Sequence, residues 1–255
     1  MKVDLTRFPG GPDADVVVVE EPLEIRVEGR PLAVLMRSPG ADEELVAGFL
    51  YSEGVIDGPD DIAAMAKVKE PLKPRDNTMD LRLAAGVNPA RVLSAQRELY
   101  ASSACGVCGK ATVEAVLKRL PSRRVSPRAA PELLLGLPAK MRAAQAGFGR
   151  TGGEHAAALF TLDGELEVLR EDVGRHNAVD KVLGWRLRAD RVPVEDAILL
   201  VSGRAGFELV QKAALAGVPT MAAVGAPSSL AVELAREAGM QLVGFLREGR
   251  FNEYS

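Results

Sequence analysis

The spacing of apolar and polar positions changes period along this chain, and the changes divide it. Val16 to Val19 and Leu23-Glu24-Ile25-Arg26-Val27 are rich in β-branched residues, and Glu28-Gly29-Arg30-Pro31 leads into Leu32–Met36. Residues 15–37 are therefore predicted to alternate and turn as a hairpin. Ser38-Pro39-Gly40 ends it. From Ala41 to Ser52 the pattern is helical, with Leu45, Gly48, Phe49 and Tyr51 on apolar or small faces and Gly54 as the C-cap. A polar loop over 71–78 precedes a predicted strand, Met79–Leu83. The small-residue turn 101–110 then leads into a predicted helix, Ala111–Leu120. Residues 121–131 are rich in Pro, Arg, Ser and Ala and read as a linker.

Beyond residue 131 the pattern becomes regular. A helix is predicted over Leu133–Ala146. Strands follow at Ala156–Thr161 and Leu166–Leu169, joined at Asp163-Gly164, and then a helix at His176–Arg188. Strands at 196–202, 219–224 and 240–246 alternate with helices at 206–216 and 228–238. That order predicts α/β units around a parallel or mixed sheet. The expected organisation is an N-terminal α/β domain over 1–120, a linker at 121–131 and an α/β domain over 132–255.

Composition narrows the function classes. The 255 residues are 47% hydrophobic and 26% charged, as in soluble globular proteins. A net charge of -3 gives no global positive field for nucleic acid or an anionic membrane. Met1–Asp15 lacks the apolar centre of a signal peptide, and runs such as Ala197–Val201 are too short to span a bilayer. A cytoplasmic protein with neither nucleic-acid nor membrane partners is expected.

Two cysteines change the picture. Cys105 and Cys108 are the only ones, in Ser102-Ser103-Ala104-Cys105-Gly106-Val107-Cys108-Gly109-Lys110. In a reducing compartment such a pair suits redox chemistry, half a metal site or sulfur carriage better than a structural staple. Lys110 and the start of the following helix favour the thiolate. A tetrahedral zinc site needs four ligands, and the chain has only two cysteines and two histidines, so no metal is expected. A phosphate-binding P-loop fails because Ala104 and Ala111 replace its first glycine and its hydroxyl residue.

The second half carries further candidates. Gly152-Gly153 makes a tight turn before His155 enters an apolar strand. Ala157 stands where a zinc deaminase would carry its glutamate. Glu171-Asp172-Val173-Gly174-Arg175-His176-Asn177-Ala178-Val179-Asp180-Lys181 heads a helix. The plain reading makes Asp172 a cap and leaves Asp180 and Lys181 solvated, while the functional one is a helix N-terminus suited to phosphate or carboxylate. Ser202-Gly203-Arg204 and Gly225-Ala226-Pro227-Ser228 lie at consecutive strand ends, where α/β folds bind ligands. Arg247 and Arg250 in the tail can close such a crevice over phosphate.

These blocks, in this order, resemble the FdhD family of formate dehydrogenase accessory sulfurtransferases. The likeness runs from Asp42-Glu-Glu-Leu-Val-Ala-Gly-Phe-Leu50 through Cys105-Gly-Val-Cys108, Thr151-Gly-Gly-x-His155, the 171–181 block and Ala226-Pro-Ser-Ser-Leu-Ala-Val232 to the C-terminus. It implies a cytidine-deaminase-like C-terminal domain and a smaller N-terminal α/β domain, joined through a mobile CxxC loop, in a homodimer. It also implies a sulfur carrier. Sulfur would come from a cysteine desulfurase as a persulfide and pass to the molybdenum of bis(molybdopterin guanine dinucleotide), for formate dehydrogenase. Cys105 and Cys108 are the expected catalytic pair. Phe245, Leu246, Arg247, Glu248, Gly249 and Arg250 are expected at the guanine nucleotide. Gly152, Gly153, His155, Arg175, His176, Ser202, Gly203, Arg204, Pro227 and Ser228 complete the expected cofactor-binding set. A cofactor chaperone without sulfur transfer and a thiol–disulfide oxidoreductase are the alternatives.

Overall fold

In a computed structural model of the chain, the structure describes residues 1–69, 77–102, 113, 114, 116–120 and 128–255, with 97–102 as backbone only. Cys105, Cys108, most of the 71–78 loop and residues 121–127 of the expected linker lie outside them.

The N-terminal half holds a four-stranded sheet in the order β4-β3-β6-β5. Its strands are β3 (Glu21–Val27), β4 (Arg30–Arg37), β5 (Ile62–Lys67) and β6 (Thr78–Leu83). The β3–β4 hairpin is the one the alternation predicts, with Leu23, Ile25 and Val27 turned into the core. Val17–Val19 take no part in it. Val16 instead ends β2 (Gly11–Val16), which pairs with β1 (Lys2–Arg7) in a separate ribbon with no buried residue. Leu45, Val46, Phe49 and Leu50 of helix α1 (Asp42–Ser52) cover the sheet. Helix α2 (Pro89–Ser102) adds Ala95.

The second half is a six-stranded sheet in the order β12-β11-β10-β9-β7-β8. Its strands are β7 (His155–Thr161), β8 (Leu166–Asp172), β9 (Ala197–Val201), β10 (Thr220–Ala223), β11 (Gln241–Arg247) and β12 (Arg250–Glu253). β9, β10 and β11 are parallel, and β7, β8 and β12 are antiparallel additions. β9 lies between covered faces and is apolar at every position. Ile198 and Leu200 face helix α3 (Pro131–Ala144). Leu199 and Val201 face the opposite layer. That layer contains α5 (Arg175–Arg188), α6 (Phe207–Leu215) and α7 (Ser229–Ala238).

The helix predicted over Leu133–Ala146 is interrupted. It starts at Pro131, whose missing N–H costs nothing at a first turn. It stops at Gln145, and a short helix, α4 (Ala146–Thr151), follows and ends at Gly152 with φ 65°. Helix α5 also crosses α1. A Cβ on Gly48 would overlap the Asp180 carbonyl, and one on Gly184 would overlap the Glu44 carbonyl, so backbones touch where the halves meet.

Candidate functional site

Three turns leave the carboxyl ends of β9, β10 and β11, and backbone contacts bind them together. The Gly225 N–H donates to the Gly203 carbonyl at 2.8 Å, and the Phe245 N–H to the Gly225 carbonyl at 3.0 Å. A Cβ on Gly225 would stand 2.8 Å from Arg204 Cα, and one on Gly244 would stand 2.8 Å from Pro227 Cδ. Gly225 and Gly244 are thus required by turn-to-turn packing. Ser228 Oγ accepts from the Ala231 N–H at 3.3 Å and caps α7.

Beside these turns lies a cleft of about 500 Å³. Gly152, Gly153 and His155 form one side, Ser202 and Val224 the floor, and Leu246, Arg247 and Glu248 the rim. Met141 and Arg142 of α3 and Phe148 of α4 form the far wall, with Gln145 and Glu154 beside them. A smaller hollow of about 290 Å³, between Phe245, Arg250, Phe251 and Asn252, shares Arg247 with it. The floor is fixed by a reciprocal pair. Ser202 N–H donates to the Ala156 carbonyl at 2.9 Å, and Ser202 Oγ accepts from the Ala156 N–H at 2.8 Å.

His155 is half-buried at the mouth of β7, opposite Asp172 of β8. A Cβ on Gly203 would lie 3.5 Å from its Nδ1. Burial, with repulsion from Arg175 and His176, holds its imidazole below the ordinary histidine range, and Asp172 opposes that shift. His176 Nε2 lies 2.8 Å from Glu208 Oε2. This hydrogen bond holds the Glu208 carboxyl below the usual carboxylate range. Arg142 stacks 4.4 Å above the centre of the Phe148 ring.

The 171–181 block divides into support and surface. Glu171 accepts from the Gly147 and Phe148 N–H groups, both at 2.7 Å, and fixes the start of α4. Asp172 is fully buried. It accepts from the N–H of Gly174 and of Ser38 and from Asn177 Nδ2, and pairs with Lys181 at 2.7 Å. Asp180 and Lys181 are buried rather than solvated, because α1 covers this side of α5. Arg175 and His176 keep partial exposure at the head of the helix.

Seven residues expected at a ligand therefore share one cleft: Gly152, Gly153, His155, Ser202, Leu246, Arg247 and Glu248. Gly203 lies where a Cβ would meet His155, and Phe245 and Arg250 line the adjoining hollow. Pro227 and Ser228 are engaged in packing and capping. Arg142, Phe148 and Glu154 were not foreseen, since only the break at Gln145 brings α4 around to face the strand ends. Among the described residues no cluster of His, Cys, Asp and Glu could hold a metal, and no helix is long and apolar enough to cross a membrane.

The model of the FdhD/NarQ family matches residues 18–255. The chain belongs to the FdhD/NarQ family. Its relatives include the sulfur carrier protein FdhD of Streptomyces avermitilis, 51% identical over 247 residues, covering 94% of this chain and 87% of that one. The protein of the same name from Mycobacterium tuberculosis is 48% identical over 249 residues, covering 94% and 90%. Among solved structures, a formate dehydrogenase accessory protein from Desulfotalea psychrophila superposes with a TM-score of 0.73 at 26% identity. The match covers 100% of this chain and 95% of that one. The family's mixed α/β fold is thus the frame that holds the cleft.

Proposed function

We propose that this chain is a cytoplasmic sulfur carrier serving a formate dehydrogenase, acting as a homodimer. Its relatives named as sulfur carriers, about half identical over nearly the whole chain, carry this reading. The Cys105 thiolate attacks the outer sulfur of a persulfide on a cysteine desulfurase. The donor's cysteine thiolate leaves, and Cys105 holds the sulfur as S–SH. Cys108 steadies that persulfide, or attacks Cys105 Sγ and expels hydrosulfide as the two cysteines close a disulfide. In the second case a dithiol reductant resets the pair.

The substrate that receives the sulfur is the molybdenum of bis(molybdopterin guanine dinucleotide). The cleft and its adjoining hollow suit the nucleotide ends of that molecule, with Arg247 and Arg250 toward phosphate. The six-stranded sheet is read as a deaminase-like scaffold that has kept its crevice and lost the zinc chemistry.

The test is mass spectrometry of the CxxC peptide after incubation with cysteine and a desulfurase. Wild type should gain at least one sulfur, and Cys105→Ala should gain none. Sulfur retained by Cys105→Ala but lost in Cys108→Ala would reverse the roles. No gain in wild type, with guanine-nucleotide binding intact, would leave a cofactor chaperone. Loss of two hydrogens alone would mark a thiol–disulfide oxidoreductase.

A further inference from the structure

We infer that Glu154, on the wall of the cleft formed with α3 and α4, reads the 2-amino-4-oxopyrimidine edge shared by guanine and pterin. The inference rests on the cofactor reading above and names the group that selects the ring. Glu154 lines the cleft beside Phe148 and is half-buried. Its carboxylate has no hydrogen bond or ion pair among the described residues.

The neighbouring carboxylate shows what Glu154 lacks. Both converge on the bare Cα of Gly147, where a Cβ would overlap Glu154 Oε2 and stand 3.0 Å from Glu171 Oε2. Glu171 is satisfied by two backbone N–H groups. Glu154 has no such donors and keeps an unmet capacity for two parallel ones. A ring N–H beside an exocyclic amine supplies such a pair. Hypoxanthine offers one N–H and no amine, and the adenine edge puts an acceptor where the donor should be.

The stacked Arg142 and Phe148 add a planar wall to the same cleft, against which a flat heterocycle can lie. Arg247 lines both hollows and suits the phosphates of a nucleotide whose base rests on that wall. Glu248 is the other carboxylate of the cleft, but it sits exposed on the β11–β12 turn.

Calorimetric titration of the full chain tests this with two matched pairs of probes. GDP is compared with inosine diphosphate, and 6-hydroxymethylpterin with 6-hydroxymethyllumazine, which carries an oxo group in place of the amine. Wild type should favour the amino-bearing member of at least one pair by about tenfold or more. Preference within the first pair places guanine at Glu154, and within the second, pterin. Glu154→Gln should bring that ratio close to one, whereas Glu248→Gln should keep it. Arg247→Ala should weaken both nucleotides alike. The ratio does not depend on the fraction of protein folded, so an unstable variant remains informative. If nucleotide binds but Glu154→Gln retains the preference, or if Glu248→Gln removes it, the inference fails and the cofactor reading stands. If neither pair binds wild type, both fail.

Discussion

At the scale of single residues, His155 links the cleft to the stability of the fold. Its imidazole is harder to protonate in the folded chain than its ordinary value of 6.5, because burial and the nearby Arg175 and His176 outweigh Asp172. As pH falls below about 6.5 the unfolded chain takes up a proton that the native chain refuses. Stability from this group is therefore complete above that pH and declines beneath it. Urea unfolding between about pH 7.5 and 5.5 should show that decline, and His155→Gln should flatten it. An unchanged slope in the variant would mean that the imidazole is not held back. The residue is conspicuous in the sequence as a histidine entering an apolar strand. The charges that surround it come from other elements and cannot be read there. The same holds for Asp180 and Lys181, which look as polar as any surface pair until α1 is packed over them.

At the scale of elements, legibility followed burial. β9, β10, β11, α6 and α7 lie within a residue or two of their predicted bounds, because their apolar periods match the faces they bury. The β1–β2 ribbon and β12 went unpredicted, since these short strands bury no residue and are held by backbone pairing; only Val3 and Leu5 of β1 alternate with polar neighbours. The α1–α5 crossing went unseen for another reason. Gly48 and Gly184 look like weak points in two helices, yet they let the backbones touch. Gly48→Ala should cost roughly 1–3 kcal/mol, as forced overpacking does. Gly136→Ala is the control. It also sits in a helix, but a Cβ there meets nothing within 4 Å, so it should stabilise by about 0.5–1 kcal/mol. Chemical denaturation of the two variants checks the contrast, and equal effects would refute the close crossing.

At the scale of the whole molecule, the halves are held together by buried charge as well as by touching helices. Lys212 of α6 lies under α1. Its Nζ donates to Ser52 Oγ at 2.8 Å and pairs with Asp180 and Glu53, both at 3.0 Å, while Ser52 donates to Asp180 at 2.8 Å. Burial works against the ammonium, but the two carboxylates outweigh it and hold its pKa above the ordinary lysine value. Leu187 of α5 completes the interlock by standing in the core of the N-terminal half. A cleft held by α3, α4 and three strand ends thus shares its foundation, α5 and α6, with the half that carries the sheet of β3–β6. Lys212→Met should cost about 3–5 kcal/mol, because it strands Asp180 without a countercharge. Pairing it with Asp180→Asn should recover most of that loss, since a neutral amide tolerates the site. Fluorescence of Trp185, the single tryptophan, and far-ultraviolet circular dichroism should trace one coincident unfolding transition in wild type. Two separated transitions would show that the halves unfold independently, and a double variant no more stable than Lys212→Met would show that the buried charge does not bind them.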